Sequence, residues 1–403
     1  MAAGCPSMSL LADMMNFDRL RPEAITAPSS GIVSVIDYGR MKPGLVPLWA
    51  GEGDLSTPAF ISDAAAQSLA AGETFYTWQR GLPELREAIA AYSSRLYGRA
   101  IDAERFTVTS SGMHAIQMVL RCIVGTGDEV IVLTPAWPNC AAAAALAGAS
   151  VREVPLDCSD GGWSLDLDRL RDAIGPRTRA LFINTPANPT GWTADRDTLG
   201  ALLGVAREKG LFIIADEIYG RFFYAGGRAP SFHDVMNDDD PVFFVNSFSK
   251  NWAMTGWRAG WIEAPAELGT AFANLVQYST SGLAAFIQRG AIAAIEKGEP
   301  FVEEQVERAH RARDIFIDAL AATNRVSIAK PAGAFYSFFA IDGIEDTREA
   351  AFRIVDEAGV GLAPGSAFGE AGNRFLRACF HRRLDEVETA ANRLAEWIGS
   401  RAR

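Results

Sequence analysis

The sequence predicts an α/β fold, with a larger domain built on a mostly parallel sheet between helices and a smaller α+β domain. Three observations predict it. Through the middle of the chain, short β-rich runs alternate with helical stretches, the pattern of repeated strand–helix units. The runs are continuously apolar rather than alternating, as when helices cover both faces of a sheet. The 403 residues are too many for one simple core and suit two or three domains.

The elements follow in order. The arm before the sheet carries Pro28-Ser29-Ser30-Gly31, Pro43-Gly44 and Pro47, and reads as loop-rich. Phe106-Thr107-Val108-Thr109 is the first strand, with a helix over 113–124. Strands follow at 129–133, 180–184, 211–215, 242–246 and 259–263, with helices at 140–147 and 193–209. A long helical region covers 286–323. Residues 326–328 and 334–341 read as strands of a second, smaller sheet, with helices at 347–357 and 384–401 on it. The large domain is expected over 57–282, and the small domain combines 1–56 with 283–403.

Composition excludes several functions. Hydrophobic residues make up 49% and charged residues 22%, the balance of a globular protein. The net charge of −11 argues against nucleic acid or an anionic membrane as partner. The five cysteines (Cys5, Cys122, Cys140, Cys158, Cys379) are odd in number and form no CxxC pair. A reducing cytoplasm is therefore expected, with neither a disulfide framework nor a zinc cage. The four histidines are widely separated and offer no metal pair. Residues 1–17 lack the charged start and long apolar run of a signal peptide, and 141–149 is too short to span a bilayer.

The chemistry lies at the strand ends, where open α/β sheets bind ligands. After the first strand come Ser110-Ser111-Gly112; after the second, Pro135-Ala136-Trp137; after the third, Asn188-Pro189-Thr190-Gly191. The fourth runs into Asp216-Glu217-Ile218-Tyr219, and the fifth into Ser247-Phe248-Ser249-Lys250, with Arg258 eight residues on. An amine can form a Schiff base with an aldehyde, and an arginine can grip a phosphate. Pyridoxal phosphate carries both groups. Asp216 would keep its pyridine nitrogen protonated, making the ring an electron sink. Trp137 offers a flat face, and Asn188 and Tyr219 can bond the phenolic oxygen. Ser111 and Gly112 open a helix whose dipole suits phosphate, with Ser247, Ser249 and Arg258 completing the cup. Taken singly, each is ordinary: a turn, a helix start, a polar strand end, a core tryptophan, a surface lysine. Those ordinary roles do not predict the order and the strand placement together.

With these motifs the chain resembles the class I/II aminotransferases, fold-type I pyridoxal-phosphate enzymes of the aspartate aminotransferase superfamily. The likeness extends from Gly51-Glu52-Gly53-Asp54 to Phe375-Leu376-Arg377. It includes Tyr76 with Gly81-Leu82-Pro83-Glu84-Leu85-Arg86, and Pro364-Gly365-Ser366-Ala367-Phe368-Gly369. The resemblance implies a sheet of the seven-stranded type and transfer of an amino group between an amino acid and a 2-oxo acid. Lys250 would bind the cofactor aldehyde and act as base, Asp216 would pair with the pyridinium, and Tyr219 and Asn188 would contact the phenolic oxygen. Trp137 would stack on the ring. Ser111, Gly112, Met113, Ser247, Ser249 and Arg258 would bind the phosphate. Tyr76 would reach the phosphate of a neighbouring subunit, implying a homodimer with shared sites. Arg377 would clamp the substrate carboxylate, helped by Asn188 and the backbone near Gly51.

The chain also departs from that pattern. Related chains often read Gly-Glu-Pro-Asp where this one has Gly51-Glu52-Gly53-Asp54. Some aspartate-specific relatives carry lysine at the position of Met113. Trp78-Gln79-Arg80 is unusual and is expected at the shared cleft. Arg80 or Arg289 could read a distal carboxylate, but a structural ion pair is the expected role of each. The aromatics Trp49, Trp78, Tyr278, Phe335 and Tyr336 suggest a neutral or apolar substrate side chain. A β-lyase, a decarboxylase or a cyclopropane-forming synthase would use the same site chemistry. A regulator built on this domain would need a DNA-binding segment, and no helix-turn-helix pattern precedes residue 57.

Overall fold

The computed structural model describes residues 20–159 and 162–400, apart from residue 28. The expectations for residues 1–17, Cys5, Pro28 and Arg401 lie outside these residues. Seven strands form the main sheet: β1 (Phe106–Thr109), β2 (Glu129–Thr134), β3 (Ser150–Pro155), β4 (Thr178–Asn184), β5 (Phe212–Asp216), β6 (Val242–Ser247) and β7 (Gly260–Glu263). Their spatial order is β1-β7-β6-β5-β4-β2-β3. All pairs are parallel except those of β7, which runs antiparallel to β1 and β6. The predicted α/β class, with its mostly parallel sheet, is the observed one.

The helices that matter for the site are α1 (Gly31–Gly39), α2 (Ala59–Ala70), α3 (Pro83–Tyr97), α4 (Gly112–Ile123), α5 (Pro138–Leu146), α6 (Arg196–Lys209), α7 (Ala285–Lys297), α8 (Glu299–Ala321), α9 (Thr347–Glu357) and α10 (Leu384–Ser400). Alternate residues of each strand serve opposite layers. Ile131, Leu181 and Ile213 pack with Leu199 and Leu202 of α6. Val130, Val132, Phe182 and Ile214 pack on the other face with Ile116 and Val119 of α4. The second sheet is antiparallel, in the order β8 (Val326–Ile328), β9 (Tyr336–Ile341), β11 (Leu376–Cys379), β10 (Ala363–Pro364). Its core joins Phe339 and Ile341 to Phe316 and Leu320 of α8, Leu394 of α10 and Val35 of α1.

Two local expectations are corrected, and one strand was not expected. The arm read as loop-rich contains α1, whose stability comes from distant partners: Tyr38 packs edge-on against Phe352 of α9 at 5.0 Å and bonds Asp356 at 2.8 Å. The helical region 286–323 is two helices. Gly298 lies between them, and only glycine fits there: a Cβ would come 2.3 Å from Ala294 O and 2.6 Å from the Trp252 ring. Pro300 follows in the first turn of α8, where a proline is tolerated. Strand β3 had no sequence signal: it is an edge strand with only Val154 buried, so it needs no apolar run.

Candidate active site

The register of the main sheet assembles the site. Asn184 pairs with Asp216, and Asp216 with Val245, so three neighbouring strands end side by side. A cleft of about 500 Å³ opens there. Its lining includes Gly51, Gly112, Met113, Trp137, Asn188, Asp216, Tyr219, Ser247, Ser249, Lys250, Arg258 and Arg377. These residues lie on separate elements between positions 51 and 377, and the strand-end reading anticipated most of them.

Helix α4 starts at the cleft. Ser111 caps it, its hydroxyl accepting from His114 N–H at 2.9 Å, but is not itself among the lining residues. The start of the helix, with its dipole, suits an anion. Ser247 Oγ lies 2.8 Å from Ser249 Oγ and accepts from Ser249 N–H at 3.0 Å. The exposed Arg258 has a left-handed backbone (φ 56°) and its Nη1 donates to Thr255 O at 2.5 Å. Hydroxyls, a helix start and a guanidinium thus border one side of the cleft.

Arg377 borders another. It is 2% exposed, donates to Asn188 Oδ1 at 3.0 Å and also bonds Trp49 O. Its guanidinium lies 4.7 Å from the Tyr336 ring centre and 5.0 Å from that of Phe368. Two rings and two oxygens fix the direction of a fork suited to a carboxylate. Asn188 is itself placed by Asn184, whose Oδ1 accepts its N–H at 2.8 Å, and by Trp137, whose N–H donates to Asn188 O at 3.0 Å.

The reactive groups lie between. Lys250 Nζ donates to Gly51 O at 2.6 Å. Burial, aided by Arg377 and Arg258, lowers this amine to about 8. Burial also raises Asp216 to about 7, with the neighbouring Glu217 adding to it and the Ile218 N–H at 3.3 Å opposing. Tyr219, whose hydroxyl is 2.8 Å from that of Tyr336, is pushed up by burial as well.

Pyridoxal phosphate fits this donor set. Asp216 is buried with no basic side chain bonded to it among the described residues. Such a carboxylate is costly unless a cation meets it, which a pyridinium N–H would do. The lysine amine, the helix start with its hydroxyls and the arginine fork would suit the remaining functional groups of cofactor and substrate.

Tyr76 does not join the cleft: it is 93% exposed, on a segment that flanks residues 280–284. Tyr278 and Trp78 are also exposed and outside the lining, whereas Trp49, Phe335 and Tyr336 are buried. Arg80 bonds Glu104 at 2.8 Å and Phe106 O at 3.1 Å, and Arg289 bonds Glu73 and Glu84, each at 3.1 Å. Both are structural ion pairs. The sequence reading missed Asn184, the last residue of β4, and Asn246, the last but one of β6, both legible by the rule that found Asp216. It also missed Ile32, Val33 and Ile36 of α1, which line the cleft from a segment read as loop.

Gly53, the departure at 51–54, has a local cause. A Cβ there would come 2.6 Å from His381 Cδ2. His381 cannot retreat, because it stacks on Phe335 at 4.9 Å and meets Phe222 edge-on at 5.2 Å. Its Nε2 is 3.2 Å from Gln305 Oε1, and burial lowers its pKa to about 3, so it is neutral.

Comparison with known proteins places the chain. The family model described as aminotransferase class I and II matches residues 44–394. The aspartate/prephenate aminotransferase of Thermus thermophilus is 34% identical over 389 residues, covering 94% of this chain and 97% of that protein. The arginine–pyruvate transaminase of Pseudomonas aeruginosa is 34% identical over 86% of this chain and 88% of its own length. Among solved structures, Thermus thermophilus aspartate aminotransferase with maleate superposes with a TM-score of 0.87 at 34% identity, over 94% of this chain and 99% of that one. The alanine aminotransferase of Pyrococcus furiosus gives 0.88 at 27% identity, over 95% and 100%. Matches of this extent agree with what the cleft can hold: the chain belongs to the class I and II aminotransferases and is a pyridoxal-phosphate-dependent enzyme that transfers amino groups.

Proposed function

We propose that Lys250 is the residue that binds the cofactor aldehyde and moves the substrate proton, within an aminotransferase acting on an amino acid and a 2-oxo acid. The observation that carries this is the juxtaposition, in one cleft, of a lysine amine lowered to about 8, a buried carboxylate and an oriented arginine fork. The bound cofactor supplies the electron sink. Arg377 binds the substrate carboxylate, with Asn188 and Trp49 O fixing its direction and the backbone at Gly51 close by. Lys250 Nζ, poised near neutrality, takes the α-proton and redelivers it, which is efficient for a base whose pKa lies near the working pH. Asp216 holds a pyridinium proton, and Tyr219 and Asn188 offer donors to the phenolic oxygen. Trp137 covers the ring. Ser111, Gly112, Met113, Ser247, Ser249 and Arg258 hold the phosphate.

The exposed Tyr76 supports a homodimer in which it reaches the partner's phosphate. The proposed division is a cofactor-binding unit at 57–282 and a smaller unit of 1–56 with 283–403. No helix among the described residues is long and apolar enough to cross a membrane, and the proposed location is the cytoplasm.

Lys250→Ala tests the assignment. The variant is expected to lose the visible absorbance of the purified enzyme and at least about 10²–10⁴-fold in turnover. Unchanged absorbance and turnover would remove Lys250 from the role. An assay with and without an acceptor oxo acid separates reaction types, since ammonia released without acceptor would indicate a lyase.

A further inference from the structure

We infer that this enzyme selects amino acids with one carboxylate and an apolar side chain, branched aliphatic or aromatic, over dicarboxylic ones. The inference rests on the role assignments above and deepens them. Among the described residues, the cations lining the cleft are Lys250, Arg258 and Arg377. All three are already committed, Lys250 to the aldehyde, Arg258 to the phosphate and Arg377 to the α-carboxylate. A second substrate carboxylate would enter with no cation left to meet it, and burying an unpaired carboxylate is costly.

The wall on the α1 side is apolar, and Ser30, Asn139, Asn184, Asn246 and Thr255 add only uncharged polar groups elsewhere. Ile32, Val33 and Ile36 of α1 line the cleft, and their i,i+3 and i,i+4 spacing puts them on one helix face. Met113 lines it at the start of α4. Val33 is 48% exposed, so a substrate side chain laid against it removes apolar surface from water. The two described cations that directly follow α1 are engaged elsewhere: Arg40 with Asp37 at 2.7 Å, and Lys42 with Asp356. The segment that would reach a partner's cleft brings rings, not charge. Phe75, Tyr76 and Trp78 are 84%, 93% and 60% exposed. Arg80, the basic residue beside them, is held by Glu104 and Phe106 O.

The test uses the holoenzyme and two readouts. The first is the single-turnover rate at which each donor bleaches the visible absorbance: L-leucine and L-phenylalanine against L-aspartate and L-glutamate. The second is the affinity of α-methyl amino acids, which lack the α-proton and so bind without reacting. The apolar donors should react at least about tenfold faster at low concentration, the scale on which pocket contacts discriminate. α-Methylphenylalanine should bind tighter than α-methylaspartate. Val33→Lys, at a half-exposed position that tolerates charge, should raise the aspartate rate about tenfold and lower the leucine rate. Aspartate or glutamate reacting faster than both apolar donors, with transamination intact, would overturn the substrate class alone. If no donor yielded a 2-oxo acid, the role assignments would fall with it.

Discussion

Asp216 and Lys250 are shifted in opposite directions by one cause. Burial disfavours whichever form is charged, so the carboxyl rises to about 7 and the amine falls to about 8. For Asp216 the folded pKa lies above the ordinary value of 3.8, so the folded state holds the proton more tightly. That stabilisation is complete below about pH 4 and is lost as pH rises through about 7. Asp216→Asn should therefore stabilise the cofactor-free protein at pH 8, by up to about 4 kcal/mol. The gain should vanish at pH 4, and the same variant should lose activity when cofactor is added. Urea melts of the apo form at the two pH values check it; a gain that does not depend on pH would mean that Asp216 is not the titrating group.

At the scale of elements, the loop 51–54 and the strand-end segment 377–381 fit each other through Gly53 and His381. Gly53→Ala should cost about 1–3 kcal/mol, the usual penalty for overpacking. Combining it with His381→Ala should recover much of that loss, so the two penalties should not add. Simple additivity in urea unfolding would show that the ring is not what excludes the Cβ. The elements also explain what was legible. Strands β1, β2, β4, β5 and β6 are buried, mostly apolar runs that end at the cleft, so the cleft positions of Asp216, Asn188 and Lys250, at or just after strand ends, could be read from their neighbours alone. Strand β3 was not legible because an edge needs little apolar surface. Helix α1 was not, because its partners Phe352 and Asp356 lie more than 300 residues away.

At the scale of the molecule, an exposed Tyr76 and a cleft built from residues 30 to 377 suit a dimer with shared sites. Mixing Tyr76→Ala with Lys250→Ala protein under conditions that exchange subunits should restore activity above the sum of the parents. Hybrids would carry one site with both lesions and one with neither. Activity that stayed additive would place each whole site within one subunit. By itself the sequence determined the α/β class, the family, the cofactor and the residues at the strand ends. These are local: a buried strand must be apolar, and the polar residue that follows it must face the sheet edge. Only the tertiary structure decided that α1 is a helix, that its apolar face walls the cleft, and that Gly53 answers to His381. Each of those depends on contacts between segments far apart in the chain, and no local pattern of residues encodes such a contact.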